Sequence, residues 1–115
     1  KIALFTSSAS LGAGTTAYST SNEISNTSGS AYSAGGATLT SVTPALSSST
    51  AVCDFADVSY TSASFTANGA LIYNDTQSDK AVAVIAFGGD KTVSSGTFTI
   101  QFPTADASNA IIRIA

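Results

Sequence analysis

The sequence predicts an all-β protein: an antiparallel β-sandwich or barrel of about eight strands, with little or no helix. Three observations carry this. The apolar runs are short, rich in β-branched and aromatic residues, and bounded by Asn, Asp, Gly or Pro, as strands joined by turns are. Several runs alternate with period two; in Thr97–Phe102, Phe98, Ile100 and Phe102 point one way and Thr97, Thr99 and Gln101 the other. No stretch carries apolar residues at i, i+3, i+4 and i+7, as an amphipathic helix requires.

Taken in order, Lys1 to Phe5 reads as a short strand. The chain begins there without Met, so a longer gene product starting upstream is expected. From Thr6 to Thr50 the character changes: Ser and Thr fill 22 of 45 positions, and Glu23 is the only charge between Ile2 and Cys53. Such a stretch suits a flexible linker, but Tyr18, Ile24, Ala31-Tyr32 and Leu39/Val42 recur as apolar anchors. The segment from about 6 to 34 is therefore expected to be a long ordered excursion pinned by Tyr18, Ile24 and Tyr32. Gly35-Gly36 turns into a strand over Ala37–Thr43, and Pro44 ends it or marks an edge.

Ser47 to Thr50 reads as a polar turn and Ala51 to Phe55 as a strand. Asp57–Tyr60 and Ala63–Ala67 form an alternating pair, with Val58 and Tyr60 on one face and Phe65 inward. The stretch Asn68 to Phe102 is expected to organise the chain. Within it, Asn68–Asn74 and Lys80–Phe87 are strands joined by the short loop Asp75–Asp79. Lys80–Phe87 has no polar residue after Lys80 and is expected to be central and buried on both faces. Gly88-Gly89-Asp90 supplies a second turn, and Pro103 closes the third strand. Thr104–Asn109 is a loop or a single helical turn, and Ala110–Ile114 a final strand. The whole chain, 1–115, reads as one β domain.

Charged residues make up 10% of the chain, well below the usual quarter. Low charge on an exposed surface costs solubility, so neighbouring subunits are expected to cover part of this one. The net charge is −3, and Lys1, Lys80, Lys91 and Arg113 are scattered; a concentrated basic footprint for nucleic acid is absent. No run approaches the ~18 apolar residues of a helical membrane span. The single cysteine, Cys53, allows no intrachain disulfide and is expected to be a small buried apolar residue.

No catalytic, cofactor or metal residue is assigned. There is no histidine, which rules out Ser-His-Asp and Cys-His arrangements. Asp54 and Asp57 are close enough in sequence for a carboxylate pair, but read as turn caps. Asp75 and Asp79 could share a cation in their loop, yet match no calcium-loop spacing and read as solvated. Asn26-Thr27-Ser28 and Asn74-Asp75-Thr76 fit the glycosylation pattern, as chance provides in so Ser/Thr-rich a chain. Gly88-Gly89 lacks the Lys-Ser/Thr of a phosphate cradle. Tyr18, Tyr32, Tyr60 and Tyr73 could form a sugar-stacking platform, or serve as core and subunit contacts.

Several segments carry a family likeness: Lys-Ile-Ala-Leu-Phe-Thr-Ser-Ser-Ala at the start, Thr-Ala-Tyr-Ser-Thr-Ser-Asn-Glu-Ile-Ser at 16–25, Tyr-Ser-Ala-Gly-Gly-Ala-Thr-Leu-Thr at 32–40, Asn-Gly-Ala-Leu-Ile-Tyr-Asn at 68–74, Lys-Ala-Val-Ala-Val-Ile-Ala-Phe-Gly-Gly-Asp-Lys at 80–91, and the ending Ala-Ile-Ile-Arg-Ile-Ala. The chain resembles small tailed-bacteriophage virion proteins over nearly its whole length. The resemblance implies a structural protein in the virion, foremost a capsid decoration (cement) protein on the outside of the head, with a tail, baseplate or fibre component as the alternative. A carbohydrate-binding adhesin module using the tyrosines is a third reading, from another class. The implied partners are the major capsid protein or other virion proteins, with no nucleic acid and no membrane. A homo-oligomer is expected from the charge-poor N-terminal half, whose Tyr18, Ile24, Tyr32, Leu39, Val42 and Leu46 need covering; a trimer is expected by analogy with decoration proteins.

Overall fold

A computed structural model describes residues 1–25 and 32–115. Among the described residues there is no helix and there are six strands: β1 Ile2–Phe5, β2 Ser41–Ser47, β3 Thr50–Phe55, β4 Val58–Asn74, β5 Lys80–Ile100 and β6 Ile112–Ile114. They form two three-stranded antiparallel sheets, ordered β1-β4-β5 and β2-β3-β6. The all-β class is as expected, but there are six strands rather than about eight, and no barrel closes.

The difference in number arises because neighbouring runs fuse. Val58 and Tyr60 are buried, Thr61 and Ser62 are both exposed, and burial resumes at Ala63, Phe65 and Ala67. The alternation slips by one residue at Ser62, whose φ of +52° marks a bulge that does not end the strand. Gly88-Gly89 is likewise no turn. Both glycines have positive φ, 76° and 150°, but β5 continues through them. Asn68 bonds the Asp90 side chain at 2.9 Å, while the next residue, Gly69, lies against the Ile85 carbonyl. Adjacent residues of β4 thus lie against β5 residues five positions apart, and the extra β5 residues between them include the two glycines, as in a bulge.

By contacts the chain divides into two compact units. The first comprises Lys1–Thr38 and Tyr60–Phe98. Its centre is β1 on β4, paired Ile2↔Ile72 through Phe5↔Gly69. All four residues of β1 are buried. Ala3, Phe5, Leu71 and Tyr73 form one cluster, covered by Ala9, Leu11 and Tyr18 from the excursion and by Ala81 and Val84. Ile2, Leu4, Ala70 and Ile72 take the opposite face by the same register. β4 is therefore the middle strand, and β5 is not central: it is a sheet edge, with Val82 49% exposed. A continuous apolar run does not choose its neighbours. β1, covered on both faces, pairs with β4 on the side away from β5, and the outer side of β5 meets the Thr16–Tyr18 segment, through Ala81 N–H to Thr16 O and Tyr18 N–H to Asp79 O, both 2.9 Å.

The second unit comprises Leu39–Ser59 and Thr99–Ala115. Ser47↔Thr50 closes β2 on β3 through the two-residue turn Ser48-Ser49. The strand expected over Ala37–Thr43 begins instead at Ser41, and Ala37 makes only an isolated bridge to Ile2. Pro44 does not end β2. It sits in the register shift between Val42 and Ala45, on an edge strand where a missing N–H is tolerated. Val52, Val58 and Ile100 are buried here, and Phe55 packs against Phe102 at 6.2 Å. Cys53 is only half-buried, because its partner on β6 is Ile112, in a strand of three residues. Thr104–Asn109 forms bends rather than a helical turn; the Asp106 carboxylate accepts the Ser108 and Asn109 N–H groups, both at 2.7 Å.

Candidate functional site

In the first unit the Glu23 carboxylate, the lone charge of its long neutral stretch, accepts three hydrogen bonds. An isolated bridge to Phe5 holds it beside β1, next to the buried Ile24, whose N–H donates to Leu4 O at 3.0 Å. The Tyr18 hydroxyl donates to Oε2 at 2.7 Å, the Tyr32 hydroxyl to Oε1 at 2.5 Å, and the Gly35 N–H to Oε1 at 2.8 Å. Tyr32 in turn accepts the Leu4 N–H at 2.9 Å, and the Tyr73 hydroxyl donates to the Gly35 carbonyl at 2.6 Å. Tyr18 stacks on Tyr73 at 4.6 Å and 12°. A single carboxylate thus ties the middle of the excursion, at Tyr18, to its C-terminal end, at Tyr32 and Gly35.

Burial raises all four tyrosines above their ordinary value, and the Glu23 hydrogen bond adds to the effect for Tyr18 and Tyr32. Tyr60 is pushed up to about 12. Its hydroxyl is buried and has no hydrogen-bond partner among the described residues; the Ala37 N–H beside it goes to the Ile2 carbonyl at 3.0 Å. Tyr18 and Tyr32 anchor the excursion, as expected of them. The four tyrosines do not make an exposed platform: Tyr32, Tyr60 and Tyr73 are buried and Tyr18 is half-buried.

The candidate acids are dispersed among local tasks. Asp54 accepts its neighbour Phe55 N–H at 2.8 Å, and Asp57 accepts the Phe102 N–H at 2.8 Å. Asp75 lies 3.6 Å from Lys1 Nζ, a pair open to solvent. Among the described residues no three His, Cys, Asp or Glu gather as metal ligands. Asn74 turns its Oδ1 to the Thr76 N–H and hydroxyl at 3.1 and 2.7 Å, a local turn at one glycosylation match. The other match, Asn26-Thr27-Ser28, and the anchor Ala31 lie outside the described residues.

A cavity of about 590 Å³ opens beneath the 9–22 loop. Its apolar lining includes Ala9, Leu11 and the buried Phe5 and Leu71, and Ser10, Thr16 and Asn22 stand among its polar lining. Among the described residues, no charged one borders it. Nothing in the residue pattern announces this cavity, since it forms only where the loop arches back over β1 and β4. The hub role of Glu23 did have a sign: one carboxylate in about fifty uncharged residues needs donors.

Comparisons with family models, with curated proteins and with solved structures gave no match.

Proposed function

We propose that this chain is a bacteriophage virion structural protein, foremost a capsid decoration protein bound to the outside of the head shell. The observation that carries this reading is an uncharged apolar row across the second sheet. Leu46, Ala51 and Ile114 are cross-strand partners on β2, β3 and β6, so their side chains share one face. Leu46 is 73% and Ile114 68% exposed. Such a row suits packing against other protein subunits. The family resemblance of the sequence supplies the kind of assembly.

The N-terminal half contributes to association less broadly than its composition implies. Ile24 and Tyr32 are buried within the chain's own core, and Val42 and Leu46 remain exposed. Labelling intact particles with antibody against this protein tests the reading. Many copies on the head support it; a few copies confined to the tail overturn it in favour of a tail, baseplate or fibre component.

A further inference from the structure

We propose that the cavity beneath the 9–22 loop is a binding site for a neutral saccharide, a function beyond the virion reading and independent of it. The site is built from the first unit alone. Its volume of about 590 Å³ falls in the range of small-molecule sites, roughly 300–1,000 Å³. The half-buried Ala9 and Leu11 of its lining offer C–H surface to the apolar face of a sugar ring, while Phe5 and Leu71 are buried beside them. Its rim is amide and hydroxyl.

The rim amide is held in place before any ligand arrives. Asn22 sits at φ +62°, a left-handed conformation that Asn tolerates. Its carbonyl accepts the Thr6 N–H at 2.9 Å and the Thr6 hydroxyl at 3.2 Å. Its Nδ2 donates to Ser8 O at 3.1 Å. With one Nδ2 hydrogen engaged, Oδ1 is left without a partner among the described residues and can accept. Thr16 is positioned through its backbone, whose carbonyl accepts the Ala81 N–H at 2.9 Å, so its hydroxyl carries no structural duty in that pairing. Ser10 and Ser21 add further hydroxyls to the lining. Hydroxyls and an amide can donate to and accept from sugar hydroxyls. A lining with no charge offers no compensation to an anion or a cation entering it, and so selects a neutral ligand.

Titration of the intact chain with glucose, galactose, N-acetylglucosamine, maltose and lactose, followed by amide chemical shifts, tests this, with glucuronate as the anionic comparator. The expected result is a saturable shift for at least one neutral sugar, confined to amides of 9–22 and the adjoining β1 and β4, and weaker binding of glucuronate. The double variant Thr16→Val/Ser21→Ala removes two exposed hydroxyls without touching the core, and is expected to bind roughly tenfold more weakly with an unchanged unfolding temperature. No saturable shift with any neutral sugar overturns the site. So do shifts located elsewhere, equal binding of glucuronate, or a folded double variant that binds as well as the parent.

Discussion

Replacing Glu23 by Ala strips Tyr18, Tyr32 and Gly35 of the acceptor they share. A loss of about 2 kcal/mol in denaturant unfolding is expected, with Glu23→Gln, which keeps one carbonyl oxygen, costing about half that. Equal stability of Glu23→Ala and the parent would mean that the network is incidental. Gly36 is constrained more severely. Its φ is +74°, and an added Cβ would lie 1.8 Å from the Ile2 carbonyl oxygen, a backbone atom that cannot move aside. Gly36→Ala should therefore cost on the order of 3 kcal/mol or prevent folding, read as a lowered unfolding midpoint. The tyrosines set an alkaline limit. Each favours its neutral form in the folded chain, so its contribution is complete below the ordinary value of 10.0 and is lost as pH rises through the raised value, about 12 for Tyr60. Tyrosinate absorbance should thus lag behind that of free tyrosine between those values and rise together with unfolding. A titration centred on the ordinary value with the fold intact would contradict this.

At the scale of elements, the proposed association rests on the edge strands of the second sheet. β2 and β6 border their sheet, and the row Leu46–Ala51–Ile114 crosses it without a charge. Natural edges are commonly guarded by lysine or proline; here Pro44 interrupts β2, at the register shift. Leu46→Lys with Ile114→Lys creates no cavity, so stability should stay within about 0.5 kcal/mol of the parent. Light scattering should show the parent as an oligomer and the double variant shifted toward monomer. A parent that is already monomeric at micromolar concentration would remove self-association, while leaving a role against a capsid shell open to the particle labelling. The long strands behave differently: β4 and β5 absorb positive-φ residues at Ser62 and Gly88-Gly89 as bulges, because the paired strand opposite continues past each of them.

For the whole molecule, neither compact unit is a continuous stretch of chain. Residues 1–38 and 60–98 make one, and 39–59 with 99–115 the other. Truncation after residue 59 or 98 therefore cuts through β4 or β5 rather than through a linker. Protection should follow burial within each unit. Amide exchange is expected to be slowest at Ile2–Phe5 and Ala70–Tyr73, where the paired strands are buried, and fastest along β2, whose first six residues are all exposed. Fast exchange in β1 would show that its buried position does not make it the stable centre of its unit.

Much of this fold follows from residues read in order. Alternation at Phe98/Ile100, the loop Asp75–Asp79 and the anchors Tyr18, Ile24 and Tyr32 are local patterns, and period and turn chemistry specify them without reference to distant residues. Other features depend on partners far away in the chain. Whether Lys80–Phe87 lies inside or at an edge depends on where β1 pairs, and whether Gly88-Gly89 turns or bulges depends on the continuity of the strand opposite. The Glu23 hub and the cavity under the 9–22 loop likewise exist only once the excursion folds back over β1. Strands, many of the turns and the side chains that seek burial are thus written locally in the residue order. Which strand is central was settled by the tertiary fold, because pairing is a choice between competing partners that no single segment contains.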